Sequence, residues 1–211
     1  MSETARLLAR VTAGLYARGL ITASGGNVSA RAPDSPGEIW ITPAGTFKGE
    51  LQPKHMACIG LDGEPGAADE PRPSTEWRVH CAIYRRRPEV RSVVHSHAPQ
   101  STRLALTGTR FLPISLEAAL IGELQVVPFL MPGTEALAEA VASALGGGAA
   151  ILMQNHGLVV AADSLEHAAA LTETIEATAG TLLACRMLGI TPPVLSEGEI
   201  REARVRGSYG G

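Results

Sequence analysis

The sequence predicts one α/β domain over residues 1–211, built around a central sheet. Three observations carry this expectation. Helix-period apolar patterns are interspersed with short apolar runs of strand length. Hydrophobic residues make up 45% of the chain but aromatics only 4%, so an ample core must come from Ala, Leu, Val and Ile. The 23 glycines and 14 prolines fall between periodic segments, where they punctuate elements rather than dilute a disordered chain. No internal repeat and no linker divides the chain. The pattern alone leaves parallel and mixed strand orders open.

Taken in order, Ala5, Leu7, Leu8, Val11 and Leu15 trace one side of a first helix ending near Gly19. A turn-rich segment, SGGNVSAR, covers 24–31. EIWIT at 38–42 reads as a short strand broken by PAG at 43–45, and HMACIGLDGE at 55–64 as a strand entering a turn at Asp62-Gly63. A Pro/Gly-rich loop at 64–73 follows. Ser74 caps a helix over 75–87, which Pro88 stops. RSVVHSH at 91–97 is a buried strand delivering its last residues to a rim. Short strands are expected at 111–114 and 124–127, then a helix at 135–145 closed by Gly146, Gly147 and Gly148. AILM at 150–153 starts another strand, which LVVA at 158–161 continues. Asp163 and Glu166 form a capping box for a long Ala-rich helix reaching Leu188.

The formal charge of −3 and pI near 6.1 provide no general attraction to nucleic acid or acidic lipid. The basic run Arg85, Arg86 and Arg87 falls at a helix end, where cations meet the terminal carbonyls. Cys58, Cys81 and Cys185 are isolated and odd in number, which argues for a reducing compartment rather than a disulfide framework. The charged N-terminus lacks a secretory apolar core, and no apolar run approaches 18 residues. The expectation is a cytoplasmic protein with no nucleic-acid or membrane partner.

The chemistry concentrates in a few residues. His95 and His97 are two apart, so on a strand they share a face, roughly 6–7 Å apart along the backbone. Two imidazoles so placed converge on one ion of the Zn, Fe, Ni or Co type. His156, between an apolar run and a glycine in MQNHGLVV, is a third ligand from a neighbouring sheet end. The competing reading of the pair is two polar residues at a frayed strand end. Glu76 opens a helix, which suits a carboxylate with or without catalysis; Glu117, Glu123 and Asp163 are weaker candidates. His80 lies one turn beyond Glu76, where support of the site and plain packing are both open. His55 and His167 read as solvated.

These segments, in this order, resemble the class II aldolase and adducin N-terminal family: SGGNVSAR, ITPAG at 41–45, DGE at 62–64, PSTEWRVH at 73–80, VVHSH at 93–97, PGTEALAEAV at 132–141 and NHGLVV at 155–160. The resemblance implies a three-layer α/β/α domain with a mixed, largely antiparallel central sheet. It implies that His95, His97 and His156 bind a divalent metal, most often Zn2+, with Mn2+ or Co2+ as alternatives and no organic cofactor. Glu76 is then the catalytic acid/base. Gly26, Asn27, Gly45, Ser74 and Thr75 line a pocket for a substrate phosphate. Relatives that are aldolases or epimerases form homotetramers with active sites at subunit interfaces.

The function so implied is a metal-dependent aldolase-type lyase. It cleaves a small ketose phosphate through a metal-stabilised enediolate, with no Schiff-base lysine. The partner is a small phosphorylated sugar or hydroxy-keto acid. Alternatives within the family are a 4-epimerase, a dehydratase or a hydroxy-keto-acid decarboxylase; outside catalysis, an adducin-like interaction module. Two departures bear on the choice. Ala44 stands where family phosphate loops carry a hydroxyl, and Pro128-Phe129 stands where aldolases carry a proton-transferring Pro-Tyr. Tyr209, in the C-terminal GSYGG, is the candidate replacement, with a free tail as the competing reading.

Overall fold

The alternating pattern folds into a seven-stranded sheet in the order β3-β2-β1-β4-β7-β6-β5. The strands are β1 (Asn27–Ala32), β2 (Ser35–Ile41), β3 (Ala57–Gly60), β4 (Ser92–Ser96), β5 (Gln125–Val127), β6 (Ala150–Met153) and β7 (Gly157–Ala162). The structure, a computed structural model, describes residues 2–33, 35–63 and 71–206. Five of the six neighbouring pairs are antiparallel, and only β5 and β6 are parallel. A parallel pair needs a crossover. Here α5 (Glu135–Leu145) supplies it.

Helices cover both faces. One face carries α1 (Glu3–Ala17), α3 (Pro99–Thr107), α4 (Leu116–Ile121) and α6 (Leu165–Met187) against Val28, Ala30, Val94, Leu158 and Val160. The other carries α2 (Trp77–Arg86) and α5 against Ile39, Ile41, Val93, Val159 and Ala161. The period of two sorts these strand residues, so one strand feeds both cores. The last helix, α7 (Glu197–Arg206), packs on α4. The result is the three-layer α/β/α arrangement with a mixed, mostly antiparallel sheet. No helix of the described residues is long and apolar enough to cross a membrane.

Several local expectations are corrected. No strand forms at 111–114: Pro113 has no N–H for a ladder, and the segment runs irregularly with Phe111 in the core. The helices α3, α4 and α7 have no counterpart in the sequence reading. α3 starts on Pro99 and α4 on Ser115, whose side chain accepts from the Ala118 N–H at 3.2 Å. SGGNVSAR is a turn only to Gly26, after which β1 begins. LVVA is not a continuation of β6 but lies in its hairpin partner β7, because Asn155 adopts φ 58° and reverses the chain. α2 begins at Trp77, so Ser74 is not its cap; the Ser74 Oγ instead accepts from the Glu76 N–H at 3.3 Å. The cap of α6 is Ser164, not Asp163, which is bonded to His167 Nδ1 at 2.7 Å. The basic cluster at the end of α2 does not turn its side chains to the terminal carbonyls of its own helix: Arg85 donates to Leu61 O (2.6 Å), Arg87 to Gly148 O, and Arg86 pairs with Glu139.

Candidate metal centre

Three elements meet on the α2 face of the sheet. His95 lies within β4, opposite Asn27 of β1 and Val159 of β7, on the same face as Val93. His97 follows the strand end by one residue. His156 sits in the β6–β7 turn, held by its N–H to Met153 O at 3.2 Å. Gly157 next to it allows the closest approach: a Cβ there would lie 2.3 Å from Ser96 O and 3.2 Å from both His95 and His97 rings. The three rings gather with centroids 4.7–5.5 Å apart.

Glu76, at the entry of α2, completes the group. Its Oε2 lies 3.2 Å from His95 Nε2 and its Oε1 lies 3.0 Å from His156 Nε2. His95 Nε2 and His97 Nε2 are 3.0 Å apart. One ligand atom from each of the four residues falls within 4.8 Å of the others. The His95 Nδ1–H donates to Leu158 O at 3.0 Å, which leaves Nε2 with its lone pair facing the centre. Donor atoms around a tetrahedral zinc at ~2.05 Å stand about 3.3 Å apart, close to the three contacts of 3.0–3.2 Å and shorter than the 4.8 Å limit of the whole group. Glu76 Oε1 and His156 Nδ1 are buried yet make no hydrogen bond among the described residues; the Oε1 contact to His156 is out of line for one. Lone pairs and a carboxylate turned on one another fit a cation between them. Burial alone would raise the Glu76 carboxyl, but without an ion the facing nitrogens of His156 and His95 can carry protons instead of lone pairs, and those outweigh burial and hold the group well below the ordinary carboxylate range. Burial, followed by the neighbouring His95 and His156, lowers His97 to about 4, which keeps it neutral and able to ligate.

The orientation of Glu76 is set by a buried chain of hydrogen bonds. Glu76, His80 and Tyr84 recur every four residues, so one side of α2 lies over β1. Asn27 Nδ2 donates to Glu76 Oε2 at 2.9 Å. A carboxylate only accepts, so the Asn27 amide cannot be flipped, and its Oδ1 accepts from His80 Nε2 at 2.5 Å. His80 Nδ1 is then the acceptor for the Ser29 hydroxyl at 2.6 Å, and Ser29 Oγ accepts from the Tyr84 hydroxyl at 2.8 Å. The chain closes only with a neutral His80. Complete burial lowers that group to about 3, so it stays neutral. Of the two readings of His80, support of the site is the one the contacts favour.

A cavity of about 310 Å³ opens beside the cluster, lined by Glu76, His97 and His156. Gly26, Gly45, Ser74 and Thr75 line it as well, and Ala44 borders it without a hydroxyl. Asn27 also borders it, but its side-chain amide is already engaged by Glu76 and His80. Gly26 is held at φ 85°, and a Cβ there would meet Ile21 at 2.6 Å, so only glycine fits the bend leading into β1. Sequence reasoning passed over Lys48 and Pro132, which line the same cavity. The only available signal for Lys48 was its rarity, since the chain has two lysines, Lys48 and Lys54. His55, His167, Glu117, Glu123 and Asp163 all lie away from the cluster. Phe129 is half exposed, and Tyr209 falls outside the described residues.

Comparisons with known proteins identify the family. The model of the Class II Aldolase and Adducin N-terminal domain matches residues 6–183. The chain is 33% identical over 204 residues to 3-oxo-tetronate 4-phosphate decarboxylase of Escherichia coli K12, covering 93% of each. It is 35% identical over 184 residues to L-fuculose phosphate aldolase of the same strain, covering 86% of this chain and 83% of that one. Among solved structures, YgbL of Klebsiella pneumoniae, described as an aldolase, epimerase or decarboxylase, matches with a TM-score of 0.87. The identity there is 30%, with 96% of this chain and 98% of that one covered.

Proposed function

The chain belongs to the class II aldolase and adducin N-terminal family, and from that membership we propose that it is a divalent-metal-dependent carbon–carbon lyase. In the first reading it cleaves a small ketose phosphate by a retro-aldol reaction. The observation that carries this is the juxtaposition of Glu76, grouped with three imidazoles, with a cavity whose lining offers glycines and hydroxyls.

His95, His97 and His156 would hold the ion, with zinc the first choice and Mn2+ or Co2+ the alternatives. When bound, such an ion supplies Lewis-acid polarisation of a carbonyl and its neighbouring hydroxyl. Glu76 then handles the proton at the carbon next to that carbonyl. The group is held as a carboxylate, and Asn27 keeps its Oε2 in place. Gly26, Gly45, Ser74 and Thr75 receive the phosphate.

A retro-aldol step moves two protons: one leaves the hydroxyl of the departing aldehyde, and one is delivered to the carbon of the enediolate left behind. Phe129 cannot take the first. This favours a second reading, decarboxylation of a phosphorylated hydroxy-keto acid. There CO2 departs without losing a proton, the electron pair passes into the enediolate, and the one proton then added at carbon is taken from solvent by Glu76 and delivered by it, so one carboxyl suffices. The similarity to the tetronate-phosphate decarboxylase, over 93% of both chains, points the same way.

The test is product identification after the purified protein is incubated with C4–C6 ketose phosphates and a 3-oxo-tetronate 4-phosphate, with Zn, Mn or Co added. Aldehyde release supports the first reading and CO2 release the second. A new epimer or loss of water would assign the site to another reaction of the family. No turnover together with no bound metal would remove the enzyme reading altogether. The homotetramer is part of the proposal: exposed Phe129 and Met131 precede Pro132 at the cavity, so a neighbour covering them would also close the site. Light scattering should then return four times the chain mass of 22.0 kDa.

A further inference from the structure

The chain has 18 basic side chains but only two lysines, and the two are placed very differently. Lys54 is exposed, whereas Lys48 is 2% exposed and ranks among the largest fully buried side chains. Its Nζ donates to Pro43 O at 2.7 Å, and no ion pair among the described residues involves it. An ammonium has three donors, so two are left over. Burial also pushes its pKa down. A buried cation held by one neutral carbonyl is costly. If tying down the 43–48 loop were the whole task, a neutral donor would do it without that cost.

What sets Lys48 apart is the space it faces. It lines the cavity that also contains Glu76 and His156, beside Gly45, Ser74 and Thr75. Those neighbours donate hydrogen bonds but carry no charge, and Ala44 withholds the hydroxyl that a phosphate loop would offer. We propose that Lys48 is the charge-bearing anchor of the cavity, its ammonium binding the phosphoryl group of the substrate in place of the missing donor at position 44. The assignment rests on the reading of this cavity as the seat of the substrate phosphate. It adds a specificity consequence: the anion is recognised by a point charge, so uncharged analogues are rejected at that end.

The scarcity of lysine makes the test direct. Metal-loaded protein labelled with 13C-lysine shows two side-chain Cε signals, which the Lys54→Arg variant assigns. Inorganic phosphate is titrated in, while calorimetry follows its affinity for the wild type, Lys48→Gln and Thr75→Val. The expected result is a saturable shift of the Lys48 signal with Lys54 still, and affinity at least tenfold weaker in Lys48→Gln. Saturable binding with an unmoved Lys48 signal, weakened by Thr75→Val but not by Lys48→Gln, would overturn the lysine role and leave the cavity reading standing. Binding indifferent to both substitutions would overturn the cavity reading and the anchor with it. The Lys48 signal of the labelled wild type decides the lysine role even if Lys48→Gln does not fold.

Discussion

Replacing His80 by Gln tests whether the buried chain behind Glu76 is built as described. His80 is fully buried and held neutral, its pKa lowered from 6.5 to about 3 by burial and by nearby His95. Below pH 6.5 the unfolded chain takes up a proton at this position and the folded chain does not. The folded state therefore has its full advantage above pH 6.5 and loses it progressively as the pH falls toward 3. The whole displacement corresponds to about 5 kcal/mol, of which about 2 kcal/mol is lost by pH 5. His97, lowered to about 4, drives stability in the same direction. The assay is urea unfolding of the metal-free protein at pH 7 and pH 5. At pH 7 His80→Gln should be less stable by about 1–3 kcal/mol, since Asn27 Oδ1 and Ser29 Oγ lose well-placed partners. Between pH 7 and pH 5 the variant should lose about 2 kcal/mol less than the wild type, narrowing the gap. The carboxylates titrate in both proteins and cancel. Equal losses in the two proteins would show that His80 is not the buried neutral member of the chain.

Other substitutions probe the centre itself. Glu76→Gln should keep bound metal within a few-fold while turnover falls by at least a hundredfold, on the scale of a lost acid/base group; metal analysis and single-turnover kinetics separate the two, and unchanged turnover would remove Glu76 from that role. In the wild type, a metal at a hundred times its Kd should add about 2.7 kcal/mol, or roughly 5–11 °C in Tm. His95→Ala should abolish that increment, and a retained increment would place the ion elsewhere. Gly157→Ala would put a Cβ 2.3 Å from Ser96 O, so β4 and β7 must separate beneath the histidines. Weaker metal affinity is expected there, read by competition with a chelating dye; undiminished affinity would mean that the hairpin does not position the cluster.

The parts of the site legible in the sequence are those set by short-range periodicity. Two histidines spaced for one strand face, a third beside a glycine, and a glutamate one helical turn before a histidine all met in space. What escaped is long-range. His80 is bonded to Asn27, and Asn27 to Glu76, across about fifty residues of chain. Nothing local in WRVHCAIY distinguishes that histidine from a packed one. The missed helix α3 buries only Ser101, Leu104 and Ala105, too thin an apolar stripe to register as helical periodicity. Errors at 74–77 and 163–165 share a cause: two polar residues competed near each helix start, and short local bonds differing by one residue decided the outcome, Ser74 Oγ taking the Glu76 N–H and Ser164 Oγ the His167 N–H.

The residues that would hold an ion and those that would choose among reactions divide between sheet and loops. The imidazoles stand on or beside paired strands, and Glu76 is braced through β1, so the metal end is built from the most constrained part of the molecule. The groups that would choose among reactions stand elsewhere. Lys48 and Ala44 belong to the connection after β2, Phe129 and Pro132 to the connection after β5, and Tyr209 to the tail. Loops can exchange such groups without disturbing the sheet, so one metal site can serve several chemistries. Cleavage with aldehyde release requires a second proton acceptor from one of these loops or from a neighbouring subunit. Decarboxylation requires none. The count of proton-transferring groups in the assembled site, more than the metal cluster shared by both readings, is what decides which bond breaks.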